Sequence, residues 1–138
     1  MKTLRPYLGF DGRCEAALQF YAQAFNGEIK SMQRYGEAPV QAAEKDKARV
    51  MHAEFAAEGV EFMASDGPPS NPRRVGDNVT LAVMLESKEE QDRIWNKLSE
   101  GGTVVQPLQE TFWGARFGMV TDQFGIPWML NCDLAPKK

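Results

Sequence analysis

The sequence predicts an α+β fold built from two βαβββ modules. Three observations lead there. Two stretches carry apolar residues at helical spacing. The other patterned segments are short, rich in β-branched and aromatic residues, and bounded by turn residues. The order strand, helix, strand, strand, strand then occurs twice along the chain.

The first strand is read over Leu4–Phe10 and the first helix over Arg13–Phe25. Cys14, Ala17, Leu18, Tyr21, Ala24 and Phe25 share one helix face at spacings of three and four. Asp11 is placed to cap the start, and Asn26-Gly27 suits a left-handed stop. Strands over Glu28–Tyr35, Val50–Ala57 and Val60–Ser65 complete the module, with Glu58-Gly59 as a tight hairpin between the last two. The second module opens with a strand over Val79–Glu86 and a helix over Lys88–Glu100. Ser87-Lys88-Glu89-Glu90 has the form of a capping box, Ile94, Trp95 and Leu98 make the apolar stripe, and Gly101-Gly102 ends the helix. Strands over Thr103–Pro107, Ala115–Thr121 and Pro127–Cys132 follow, the last two joined at Asp122-Gln123-Phe124-Gly125. Two loops, Gly36–Arg49 and Asp66–Asn78, carry Pro, Gly and charge at densities that oppose ladder pairing, so both lie outside the sheets. The first reads as a mobile lid and the second as the join between modules.

The repeat has a measurable register. Leu4 and Gly27 map onto Val79 and Gly102 at an offset of 75 residues, and Gly59–Met63 maps onto Gly125–Met129 at 66. The longer Gly36–Arg49 loop accounts for the difference. The chain thus reads as a single domain, 1–138, with an internal repeat of 4–66 and 79–134. One module cannot bury both faces of its strands. The two are expected to pair into a curved, partly closed mixed β-sheet, with helices on the outer face and a concave inner face as a pocket.

Composition narrows the function. With 138 residues, 43% hydrophobic and 25% charged, the chain has the make-up of a soluble globular domain. A formal charge of −3 without a basic run argues against nucleic acid as a partner, and Arg73-Arg74 reads as a solvated loop. No apolar stretch is long enough for a membrane span, and the N-terminus lacks a signal peptide's apolar core. Cys14 and Cys132 stand far apart and read as reduced thiols, so the cytoplasm is the expected location. There is no GxSxG, P-loop, HExxH or CxxC.

Two groups of residues can carry chemistry. His52, the single histidine, and Glu54 fall on the same side of one strand, where they form either an acid–base or anion-binding pair or a structural polar pair. Gln109, Glu110, Thr111, Phe112, Trp113 and Arg116 gather polar and aromatic groups at the mouth of the sixth and seventh strands. There Trp113 is a pocket wall with Glu110 and Arg116 as orienting charges, or a plug of the core or of a dimer seam. The methionines, Met63 and Met129 among them, read as core filler, or as the lining of an adaptable apolar cavity.

The βαβββ duplication, together with Phe20-Tyr21 in the first helix, resembles the vicinal oxygen chelate superfamily of glyoxalases, extradiol dioxygenases and bleomycin- and fosfomycin-resistance proteins. Tyr7–Gly12, Gln33–Gly36, Met51–Ala53, Met63–Asp66 and above all Thr111–Cys132 are similar to the PhnB-like branch, over almost the whole chain. That branch often carries a demethylubiquinone methyltransferase label, yet no glycine-rich strand-to-helix turn for an adenosyl cofactor stands here. Metal-dependent members hold a divalent ion with four His, Glu or Gln side chains, from the first and last strand of each half. The resemblance places those slots on Pro6, Met63, Thr80 and Met129, or one residue along on Phe62, Leu81 or Leu130. None is a good ligand for a hard cation, so neither a metal nor another cofactor is expected.

The resulting expectation is a cytoplasmic homodimer that binds a small organic molecule in the concave pocket without a metal. The pocket candidates are His52, Glu54, Met63, Thr80, Glu110, Trp113, Arg116 and Met129. The dimer is implied by the resemblance and by unpaired sheet edges. One alternative is a divalent-metal lyase or dioxygenase with a shifted site of His52, Glu54, Glu61 and Glu110. Another is a resistance protein that sequesters a drug.

Overall fold

A computed structural model of the chain describes residues 1–134. The chain divides into two compact units, Met1–Arg74 and a second beginning at Val75, so the division falls within the loop read as the join. Each unit contains one four-stranded mixed sheet and one long helix, in βαβββ order.

In the first unit, β1 (Tyr7–Gly9) runs parallel to β4 (Val60–Ser65), β4 antiparallel to β3 (Val50–Ala57), and β3 antiparallel to the edge strand β2 (Glu28–Arg34). β1 is shorter than the Leu4–Phe10 expected. Pro6 has no N–H to give a ladder, and Asp11 and Gly12 turn the chain away at φ of 49° and 103°. Helix α1 (Cys14–Phe25) stops at Asn26, which is left-handed as expected. Its start departs from expectation, because Asp11 is not its cap. The Asp66 carboxylate, from the end of β4, accepts from the backbone N–H groups of Gly12 at 2.6 Å and Cys14 at 2.8 Å. α1 packs on β2, β3 and β4. On that side Phe55 and Phe62 stack at 4.9 Å between ring centroids, and Tyr21 meets Phe62 edge-on at 5.7 Å.

In the second unit, β5 (Leu81–Leu85) runs parallel to β8 (Pro127–Asp133), which pairs antiparallel with β7 (Ala115–Thr121), itself paired with the edge strand β6 (Thr103–Glu110). Helix α2 (Lys88–Ser99) begins at Ser87, whose hydroxyl accepts from the Glu90 N–H at 3.1 Å. β6 continues past Pro107, where the sequence suggested an end. As an edge strand it needs no outward N–H there, and irregular pairing on both sides of Gln106 absorbs the proline. Gln91, fully buried in α2, donates to the carbonyls of Arg116 and Leu130 and fixes the helix to β7 and β8. Asp122 closes the β7–β8 turn, accepting from the N–H of Phe124 and Ile126 and from the Trp128 indole at 2.8 Å.

Both expected loops lie outside the sheets. Gly36–Arg49 contains two short 3-10 turns, at Tyr35–Glu37 and Glu44–Asp46, and its ends are tied by Tyr35 N–H to Arg49 O and Gly36 N–H to Lys47 O. The register reproduces the repeat found in the sequence. Tyr7 stands opposite Met63, and Ala82 opposite Met129, at offsets of 75 and 66 residues.

Candidate functional site

Strand alternation sorts the first sheet into two faces. Leu8, Ala53, Phe55, Phe62 and Ala64 are buried on the side of α1. Tyr7, His52, Glu54 and Met63 alternate with them and share the face turned away from the helix. There Tyr7 Oη and His52 Nδ1 are 3.3 Å apart, their rings 5.7 Å between centroids, and His52 Nε2 is 3.6 Å from Glu54 Oε2. The three side chains run in sequence from β1 to β3. A carboxylate on one side of the imidazole and a phenol on the other orient the ring and leave donors and acceptors toward solvent. The His52 and Glu54 side chains are 37% and 42% exposed, which leaves a ligand room to reach them.

Tyr7, which the sequence does not single out, stands on β1 opposite Met63. Pro6 precedes β1, and its carbonyl accepts from the Met63 N–H. Thr80 precedes β5, and Ala82 stands opposite Met129. The 75-residue offset of the repeat carries Tyr7 onto Ala82.

The other candidates separate. Trp113 stands against Phe117 at 6.3 Å, and Phe117 and Met129 lie on the second sheet's face away from α2, since Val120, Trp128 and Leu130 on the α2 side are buried. Phe112 meets Trp113 edge-on at 5.1 Å at the tip of the β6–β7 hairpin. Glu110 and Arg116 instead hold α2. Arg116 pairs with Asp92 and reaches the Gln91 side chain and the Lys88 carbonyl, while Lys88 lies 3.8 Å from Glu110.

The divalent metal that the resemblance implies does not suit the residues present. The phenol of Tyr7, the methyl group of Ala82 and the thioethers of Met63 and Met129 are poor ligands for a hard cation, as are Pro6 and Thr80. Among the described residues no three or more His, Cys, Asp or Glu gather as a metal site, so His52, Glu54, Glu61 and Glu110 are not brought together as one.

A family model described as 3-demethylubiquinone-9 3-methyltransferase matches residues 2–131. The protein YjdN of Escherichia coli is 33% identical over 138 residues, covering 93% of each chain. The crystal structure of PA1353 from Pseudomonas aeruginosa is 38% identical with a TM-score of 0.89, covering 98% of this chain and 100% of that one. A PhnB protein from Bacillus cereus, carrying the same methyltransferase description, is 32% identical with a TM-score of 0.79, covering 97% and 100%. A glyoxylase/bleomycin resistance protein/dioxygenase domain from Frankia shares the fold at a TM-score of 0.67 and 13% identity, covering 96% and 98%. The chain belongs to this PhnB-like family.

Proposed function

We propose that this chain is a cytoplasmic, homodimeric binding protein that takes a small organic molecule on the first sheet's face away from α1, through Tyr7, His52, Glu54 and Met63 and without a metal ion. The observation that carries this reading is the line Tyr7–His52–Glu54, three polar side chains on the sheet face opposite the helix. They stand together and half-exposed, where a ligand's polar group can meet them. The thioether of Met63, opposite Tyr7 in the register, adds an adaptable apolar contact. Thr80, Trp113 and Met129 belong to the second unit, where Glu110 and Arg116 serve α2.

Support for the remaining parts is independent. Cys14 and Cys132 are free and buried, as suits a reducing compartment. No helix among the described residues is long and apolar enough to cross a membrane. The edge strand β6 shows Val104 and Val105 at its surface, an edge suited to a second copy. Native mass spectrometry of protein purified without chelator tests the reading. A dimer with a bound organic mass and no metal supports it, and a stoichiometric divalent ion contradicts it.

A further inference from the structure

We propose that Arg73 is the anion-recognising residue of this same face and that the ligand is an organic carboxylate; the proposal rests on the reading of the face as a ligand site. Two glycines seat the Arg73 side chain. Gly9 follows Tyr7 by two residues in β1 and so shares its face, about 7 Å along the strand. A Cβ at Gly9 would stand 2.8 Å from Arg73 Cγ and 2.9 Å from Cδ, so the arginine stem occupies the place of a Gly9 side chain. A Cβ at Gly67 would stand 2.8 Å from Arg73 Nη2, and Gly67 also holds a φ of +69° that disfavours other residues. Any side chain at either position would displace the guanidinium.

The seat itself is pinned. Arg49 donates to the carbonyls of Gly67 at 3.0 Å and Asp66 at 2.9 Å, and pairs with Asp11 at 2.7 Å. A turn with Asn71 N–H on Pro68 O at 3.0 Å brings the chain back toward Arg73. Arg49 is thereby consumed by structure. Arg73 lies over Gly9 and Gly67, and among the described residues no carboxylate or carbonyl takes its guanidinium. An exposed cation without an ion pair, on the face that carries Tyr7 and His52, fits a ligand anion. The planar fork matches a carboxylate in two-point fashion, with the Tyr7 hydroxyl and His52 ring available to the rest of the molecule. Glu54, beside His52, and Glu61, which alternates with Phe62 in β4, place negative charge on the same face and disfavour a phosphate dianion.

The test is a titration of the full chain with sodium benzoate, benzamide and inorganic phosphate, followed by amide NMR shifts and repeated on Arg73→Gln, Arg73→Lys and Gly9→Ala. Expected are shifts at Tyr7, Gly9 and His52, benzoate binding at least tenfold tighter than benzamide, and that preference lost in R73Q and G9A but partly kept in R73K. Benzamide binding at these residues as tightly as benzoate, unaltered benzoate affinity in R73Q, or a preference for phosphate overturns the carboxylate assignment and leaves the site reading standing. If no probe perturbs these residues, both fall.

Discussion

The Asp66 carboxylate caps helix α1 from 52 residues away, its Oδ1 accepting the Cys14 N–H at 2.8 Å. The same oxygen accepts from Gly12, and Oδ2 accepts from Val50 at 2.8 Å, so one buried side chain ties the end of β4 to the starts of α1 and β3. Replacing Asp66 with Ala strands three backbone donors, and is expected to cost about 3 kcal/mol. Asp66→Asn retains one good acceptor oxygen and should lose roughly half as much. Urea unfolding of the two variants checks both the size and the order.

Cys14 lies beneath that cap. Burial first, and the neighbouring Asp66 charge second, push its thiol up to about 12. Because the folded value lies above the unfolded one, this group's contribution to stability is complete below about pH 8.5 and is lost as pH rises toward 12. Stability should fall by up to about 1.4 kcal/mol per pH unit across that window, and Cys14→Ala should flatten the fall. A thiol reagent at pH 8 should label Cys14 only after denaturant is added.

How much of this was legible in the sequence depends on the range of the contact. The two helices, the Asn26 stop, the Ser87 cap and the hairpins at Glu58-Gly59 and Asp122–Gly125 follow from neighbours in sequence, and the structure agrees. Asp66 as the cap of α1 joins distant segments, and nothing local distinguishes it from the nearer Asp11. The same holds for the site. His52 and Glu54 share a strand and were found by alternation, whereas Tyr7 joins them only through the parallel β1–β4 pairing. Arg73 reads as a solvated loop residue until Gly9 and Gly67 are seen around it.

Arg116 and Glu110 give a contrasting prediction. Their partners are Asp92 and Lys88 of α2; the Glu110–Lys88 pair is exposed, and the Arg116–Asp92 pair is half-exposed at the surface. Arg116→Gln should lower stability by about 0.5–1 kcal/mol and leave the affinity for any ligand of the first sheet unchanged. Thermal unfolding and a binding titration on the one variant check this.

The Gly36–Arg49 loop predicts where the folded chain opens. It is tied at Tyr35–Arg49 and Gly36–Lys47, while Val40 is exposed and residues between carry no ladder. Limited proteolysis should cut within 38–46, or within the Asp66–Asn78 loop, before any strand. First cuts inside Thr111–Cys132 would contradict the element map.

The central claim is that Tyr7, His52 and Glu54 serve a ligand rather than the fold, and His52→Gln tests it most directly when melting temperature and ligand affinity are measured on the same sample. The half-exposed ring holds one hydrogen bond with Tyr7, so the melting temperature should fall by no more than about 3 °C. Benzoate affinity should drop about fivefold or more, since the ring's hydrogen bond to the ligand is gone. A protein that melts many degrees lower yet binds benzoate as before would contradict the account and return His52 to a structural role.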